Sequence, residues 1–180
     1  MANIRTTAIP GVLIVDRPMH ADDRGSFREV VRLNELEQFR NVPFNPVQWN
    51  HSYSLPRVIR ALHAEPWNKL VYPITGELFT ALVDIRPESP TFGTVLTFTL
   101  NDRNRHALFI PNGVANSICV AGDQPVHYCY LVDSYWNDAP KPAVAWDDPD
   151  LAIAWPIENP ILSEKDRHNP TMRELFPGKF

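Results

Sequence analysis

Apolar residues along the chain come in short runs rich in β-branched and aromatic side chains, closed off by Gly, Pro, Asn or Asp. Such runs, with alternation inside several of them, are the signature of strands joined by turns. They predict strands over 12–16, 27–33, 46–54, 57–64 and 69–75, then over 77–85, 93–100, 106–111, 115–121 and 126–133. The Gly of ITGEL, between two of these runs, reads as a hairpin turn. LNELEQF (33–39) carries the clearest helical pattern, and SEKD (163–166) opens a second helix near the C-terminus. The 18 prolines fall between the apolar runs. Proline has no N–H to give a ladder, so this punctuation suits many short strands. With no repeat or linker, the pattern predicts a single all-β domain over residues 1–180, a sandwich or barrel.

Composition narrows the function classes. At 180 residues the chain is long enough to bury a sizeable core. A net charge of −4 gives no global basic field for nucleic acid or an anionic membrane. It leaves room for a local basic pocket that takes a phosphorylated ligand. No apolar run is long enough to span a bilayer, and MANIRTTAIPG lacks the apolar core of a signal peptide. A cytoplasmic location is therefore expected. Cys119 and Cys129 sit in apolar runs without CxxC or metal spacing and read as buried, reduced residues.

The chemistry gathers at RALHAEPWNK (60–69), where Arg60, His63 and Lys69 interrupt strand-rich, apolar surroundings. Buried charge is costly unless paired, so these groups either face solvent or line a polar cavity. Strict alternation puts Arg60 and His63 on opposite faces; a bulge or a strand end near Leu62 would reunite them. A histidine in a strand-rich chain first suggests a metal-binding cupin. Here a single His is followed by Glu65, and Asn116 stands where the later His ligand would be. That is short of the usual ligand set, and no metal is expected. His63 is then a candidate proton carrier, with Lys69 to polarise a carbonyl and Arg60 to hold an anion.

Read together, DDRGSFREV, PVQWNHSYS, VIRALHAEPWNKLV, VDIRPESPTFG, LFIPNGVANSI, YLVDSYW, AWDDPDLAIAWP and LSEKD resemble the dTDP-4-dehydrorhamnose 3,5-epimerase family from about Gly11 to Asp166. The resemblance implies a metal-free cupin, a double-stranded β-helix or jelly roll with a few short peripheral helices. It also implies a homodimer that acts on a nucleotide-diphosphate sugar. His63 is similar to the family's general base, Asp166 to the carboxylate that orients it, and Tyr130 to the acid on the opposite side of the sugar. Lys69 and Arg60 resemble groups that stabilise the enolate and line the sugar–phosphate site. Arg24, Phe27 and Glu29 resemble contacts to the diphosphate, the base and the nucleotide, delivered partly from the neighbouring subunit. Gln48 and Asn50 match further nucleotide positions. No cofactor is implied, because a C4 ketone acidifies C3 and C5 by itself.

The chain departs from that pattern at the substrate frame. Ala115-Asn116-Ser117-Ile118 stands where the family usually has AHGF, and Trp136 where it often has a tyrosine. Asn116 can exchange hydrogen bonds but carries no proton at neutral pH. Three readings stay open on sequence: epimerisation at C3 and C5, a C3- or C5-only mono-epimerase acting on a different nucleotide sugar, and a non-catalytic nucleotide-sugar-binding cupin.

Overall fold

The computed structural model describes residues 3–39 and 43–180. Its strands are β1 (Asn3–Thr6), β2 (Leu13–Asp16), β3 (Met19–Asp22), β4 (Gly25–Arg28), β5 (Gln48–Ser54) and β6 (Ile59–His63). They continue as β7 (Lys69–Thr75), β8 (Glu77–Asp84), β9 (Val95–Asn101), β10 (Ala107–Ile110), β11 (Val114–Cys119) and β12 (Val126–Val132). Three one-turn helices, α1 (Leu33–Leu36), α2 (Glu164–Arg167) and α3 (Met172–Leu175), are peripheral. The strands form a six-stranded sheet, β1-β2-β10-β7-β12-β5, and a four-stranded sheet, β6-β11-β8-β9; β3 and β4 pair as a separate hairpin. From β5 to β12 the chain changes sheet at almost every connection, which is the winding of a double-stranded β-helix, the jelly roll of the cupins.

Three apolar clusters explain why so many strands read as continuous hydrophobic runs. One lies between the sheets, around Val71, Leu82, Leu108 and Tyr128. A second covers the outer face of the four-stranded sheet, where Leu62 and Val83 meet Val144, Leu151 and Met172 of the C-terminal segment. A third covers the six-stranded sheet with Leu36 of α1 and Phe44. Burying a side chain of this size contributes about 1.5–3 kcal/mol, so both sheets are held from outside as well as from within.

The structure corrects several expectations from sequence. ITGEL is no hairpin: β7 and β8 belong to different sheets, and Gly76 is the corner between them. Its φ of +81° suits glycine, and a Cβ there would meet Pro125 O and Val126 Cγ2 at 3.0 Å. The strand expected over 27–33 stops at Arg28. Beyond it Glu29 pairs with Arg17 and Arg32, and α1 begins at Leu33. The short strands β1 and β3 were not foreseen, because NIRT and MHAD are mostly exposed and carry no apolar alternation. Cys119 and Cys129 are buried and free, as expected.

Of the two ways to bring Arg60 and His63 together, a bulge or a strand end, the structure uses a bulge in β6. Asn116 pairs with His63 and Ile118 with Arg60, so three residue steps on β6 oppose two on β11. Ala61 and Leu62 both turn to the outer cluster, while Arg60 and His63 both reach the space between the sheets.

Candidate active site

A cavity of about 440 Å³ opens between the two sheets, closed on one side by residues 161–166. On its six-stranded wall, antiparallel pairing aligns Asn50 with Tyr130 and Ser52 with Tyr128, and Tyr130 with Val71 on the far side. The alternation of β5, β12 and β7 thus sends Ser52, Tyr128, Tyr130, Lys69 and Val71 inward. Arg60, His63, Asn116 and Ile118 form the facing wall.

His63 Nε2 lies 2.6 Å from Asp166 Oδ1. Asp166 is almost fully buried, and the sequence around it explains how it is held. Ser163 caps α2, accepting from Asp166 N at 3.1 Å. Asn169 Nδ2 donates to Ala61 O at 3.3 Å, which ties this segment to β6. Burial pushes the Asp166 carboxyl up, but His63, Ser163 and Asn169 outweigh it and hold the group below the usual carboxylate range. Asp166 is therefore an anion beside the imidazole at neutral pH.

The family-like WDDPDLAIAWP segment docks the C-terminal region that carries α2. Asp148 accepts from Asp150 N at 2.8 Å, Leu151 N at 3.1 Å and Met172 N at 2.6 Å. Trp155 Nε1 donates to Trp146 O at 2.8 Å. DIRPESPTFG is likewise structural. Asp84 accepts from Arg86 at 2.7 Å through both oxygens, and from Ser89 and Thr91 at 2.5 and 2.6 Å. Burial raises this carboxyl, yet those donors bring it down to about 2.

Lys69 starts β7 and is buried. Its Nζ donates to Asn116 Oδ1 at 2.5 Å and pairs with Glu65. Desolvation lowers its pKa, and Glu65 opposes that shift. Asn68, next to it, fixes the loop: its side chain donates to Asp133 at 2.6 Å and accepts from Asn112 N at 3.0 Å. Tyr130 is raised above the ordinary phenol value, first by burial and then by the charge of Glu65, with Arg60 opposing, so it holds its proton at neutral pH. Arg60 keeps an exposed guanidinium, with Nε donating to Ser54 Oγ at 3.1 Å.

Of the residues singled out from sequence, His63, Asp166, Tyr130, Lys69, Arg60 and Asn116 meet at this cavity. Gln48 and Asn50 lie farther along the same face of β5, joined by a 2.7 Å hydrogen bond. Trp136 N donates to Gln48 Oε1 at 2.9 Å, but its ring borders an adjoining cavity of about 330 Å³ that shares His63 and Glu65. Arg24, Phe27 and Glu29 do not line either cavity. Arg24 forms the surface turn pair with Asp22 at 2.6 Å, and Phe27 is 68% exposed. Glu65 carried no role in the sequence reading; its spacing two residues after His63 was the available signal. Among the described residues no three His, Cys, Asp or Glu side chains gather as a metal site would require, and no helix is long and apolar enough to cross a membrane.

A jelly roll with an imidazole–carboxylate pair, a buried lysine and a protonated tyrosine around one cavity is a site built for moving protons at carbon. The family model for dTDP-4-dehydrorhamnose 3,5-epimerase matches residues 6–174, and the chain belongs to that family. It is 38% identical over 170 residues to the dTDP-4-dehydrorhamnose 3,5-epimerase of Shigella flexneri, covering 91% of this chain and 92% of that one. The crystal structure of a dTDP-6-deoxy-D-glucose-3,5-epimerase from Legionella pneumophila in complex with dTDP-4-keto-L-rhamnose matches with a TM-score of 0.89 at 31% identity, covering 96% and 94% of the two chains. A 4-keto-6-deoxy sugar epimerase from the novobiocin biosynthetic gene cluster of Streptomyces spheroides matches with a TM-score of 0.93 at 28% identity, covering 99% and 92%.

Proposed function

We propose that this chain is an isomerase that epimerises C3 and C5 of a dTDP-linked 4-keto-6-deoxy sugar by removing and returning a proton through an enolate. The observation that carries the reading is the His63–Asp166 pair facing Tyr130 from the opposite sheet across one cavity. With Nε2–H given to Asp166, His63 has Nδ1 free to accept the proton from carbon. The ketone oxygen takes the charge, and the Lys69 ammonium stabilises it. Tyr130, held protonated, supplies a proton on the other face of the sugar, so the centre inverts. Arg60 offers a cation to the diphosphate.

The recognition residues Arg24 and Phe27 point into solvent within one chain. This supports a homodimer in which the hairpin of one subunit completes the site of the other. The same reading makes the chain one epimerase domain working in the cytoplasm.

The test is incubation in D2O with dTDP-4-keto-6-deoxyglucose, following deuterium at C3 and C5 by NMR, with His63→Ala as control. Deuterium at both carbons, abolished in the control, is expected. Incorporation at one carbon alone would replace the reading with a mono-epimerase. Binding without exchange would make the protein a non-catalytic receptor for the nucleotide sugar.

A further inference from the structure

Glu65, in the loop between β6 and β7, has no part in the mechanism above. Its side chain is 19% exposed and that of Lys69 7%, and the two are ion-paired. An ammonium has three N–H donors. Glu65 and Asn116 occupy two of them, and the third is left for the cavity that all three residues line.

A carboxylate is an unfavourable wall for a cavity that receives an anionic sugar diphosphate, and withdrawing it from water costs further. We propose that Glu65 is a positioning residue: it holds Lys69 as a buried ammonium against Asn116, with one N–H left for the substrate's ketone oxygen. The use made of the ammonium rests on the epimerase reading; the pairing itself does not.

The other charged and titratable groups show why a partner is required. Arg60 and His63 on β6, and Lys165 ahead of Asp166 in α2, border the same cavity. The two cations disfavour a third one. Asp166 is committed to His63. Tyr128 and Tyr130 on β12 are held above their ordinary values, so they supply no negative charge at neutral pH. Lys141 adds another cation across the adjoining cavity, where it lies 5.4 Å from the Trp67 ring and 5.3 Å from that of Trp136. Burial drives Lys69 toward the neutral amine, and Glu65 is the group that opposes this.

The chain has four lysines, Lys69, Lys141, Lys165 and Lys179, so 13C-lysine NMR resolves them, and Lys69→Met assigns the signal. Titrated without substrate, Lys69 in Glu65→Gln is expected to lose its proton about one to three pH units lower than in the parent chain. The alkaline limb of deuterium exchange should move down by the same amount. Glu65→Ala is the second variant, with the same expectation, should the first fold poorly. An unchanged Lys69 midpoint in the folded variant would overturn the proposal and leave the epimerase reading standing. A shifted midpoint in a chain whose parent shows no exchange would overturn Glu65's part in this reaction along with the epimerase reading.

Discussion

The cavity around His63 and the β3–β4 hairpin carry two parts of the proposed substrate site, and they are anchored very differently. In the cavity His63 is held by Asp166, Asp166 by Ser163, and Lys69 by Glu65 and Asn116. On the hairpin, Arg24 has a side chain 90% exposed, paired among the described residues with Asp22 alone, and Phe27 stands in solvent. Proton transfer needs reacting atoms held within fractions of an ångström, which requires packing and hydrogen bonds fixed before substrate arrives. Gripping a nucleotide tolerates side chains that become ordered only when the ligand or a second subunit covers them. Chemistry sits where the fold is over-determined, and recognition where it is not.

Mutation should break the two regions in different ways. His63→Ala is expected to lower turnover by about 10²–10⁴-fold with the melting temperature nearly unchanged, measured by exchange kinetics beside calorimetry. Met172→Ala, far from any substrate, should cost about 2–5 kcal/mol of stability. It should also slow exchange, since the Met172 side chain packs the segment that carries Asp166 against the four-stranded sheet. A destabilised Met172→Ala with full activity would show that α2 keeps its place without that packing.

Arg24→Ala should raise KM by about 10–100-fold and leave both kcat and stability alone. Mixing inactive His63→Ala subunits with Arg24→Ala subunits should then recover intact sites. Absence of recovery would mean that Arg24 serves its own chain.

The smallest effect is acid sensitivity. Asp84 is fully buried and depressed to about 2 from an ordinary 3.8. A depressed carboxyl stabilises the fold fully above pH 4 and loses that contribution as pH falls from about 4 to about 2. Asp22, in its exposed pair with Arg24, should contribute nothing measurable. Melting curves of Asp84→Asn against pH should therefore lose part of the acid limb, and those of Asp22→Asn should not.

Legibility followed the same division. Strands buried on a face, such as 69–75 and 126–132, announce themselves through β-branched and aromatic runs. The polar strands β1 and β3 do not, since pairing rather than burial makes them. ITGEL misled because a glycine between two strands signals a reversal without saying whether the chain returns to the same sheet. His63, Asp166, Lys69 and Tyr130 are placed by resemblance alone; the 2.6 Å contact between His63 and Asp166 spans more than a hundred residues that no local pattern connects. Glu65 enters the sequence only as a carboxylate beside His63 in an incomplete metal set; its pairing with Lys69 shows only in the packing.

The extra residue in β6 is what lets Arg60 and His63 share a face. A strand stores its inside and outside as odd and even positions, and the bulge at Ala61–Leu62 is a deliberate miscount. Keeping every residue of β6 but pairing it without the bulge would restore strict alternation. The cost would be a His63 on the same beat as the outer packing layer, facing Leu151 and Val144 rather than the cavity. The proposed base depends on a count.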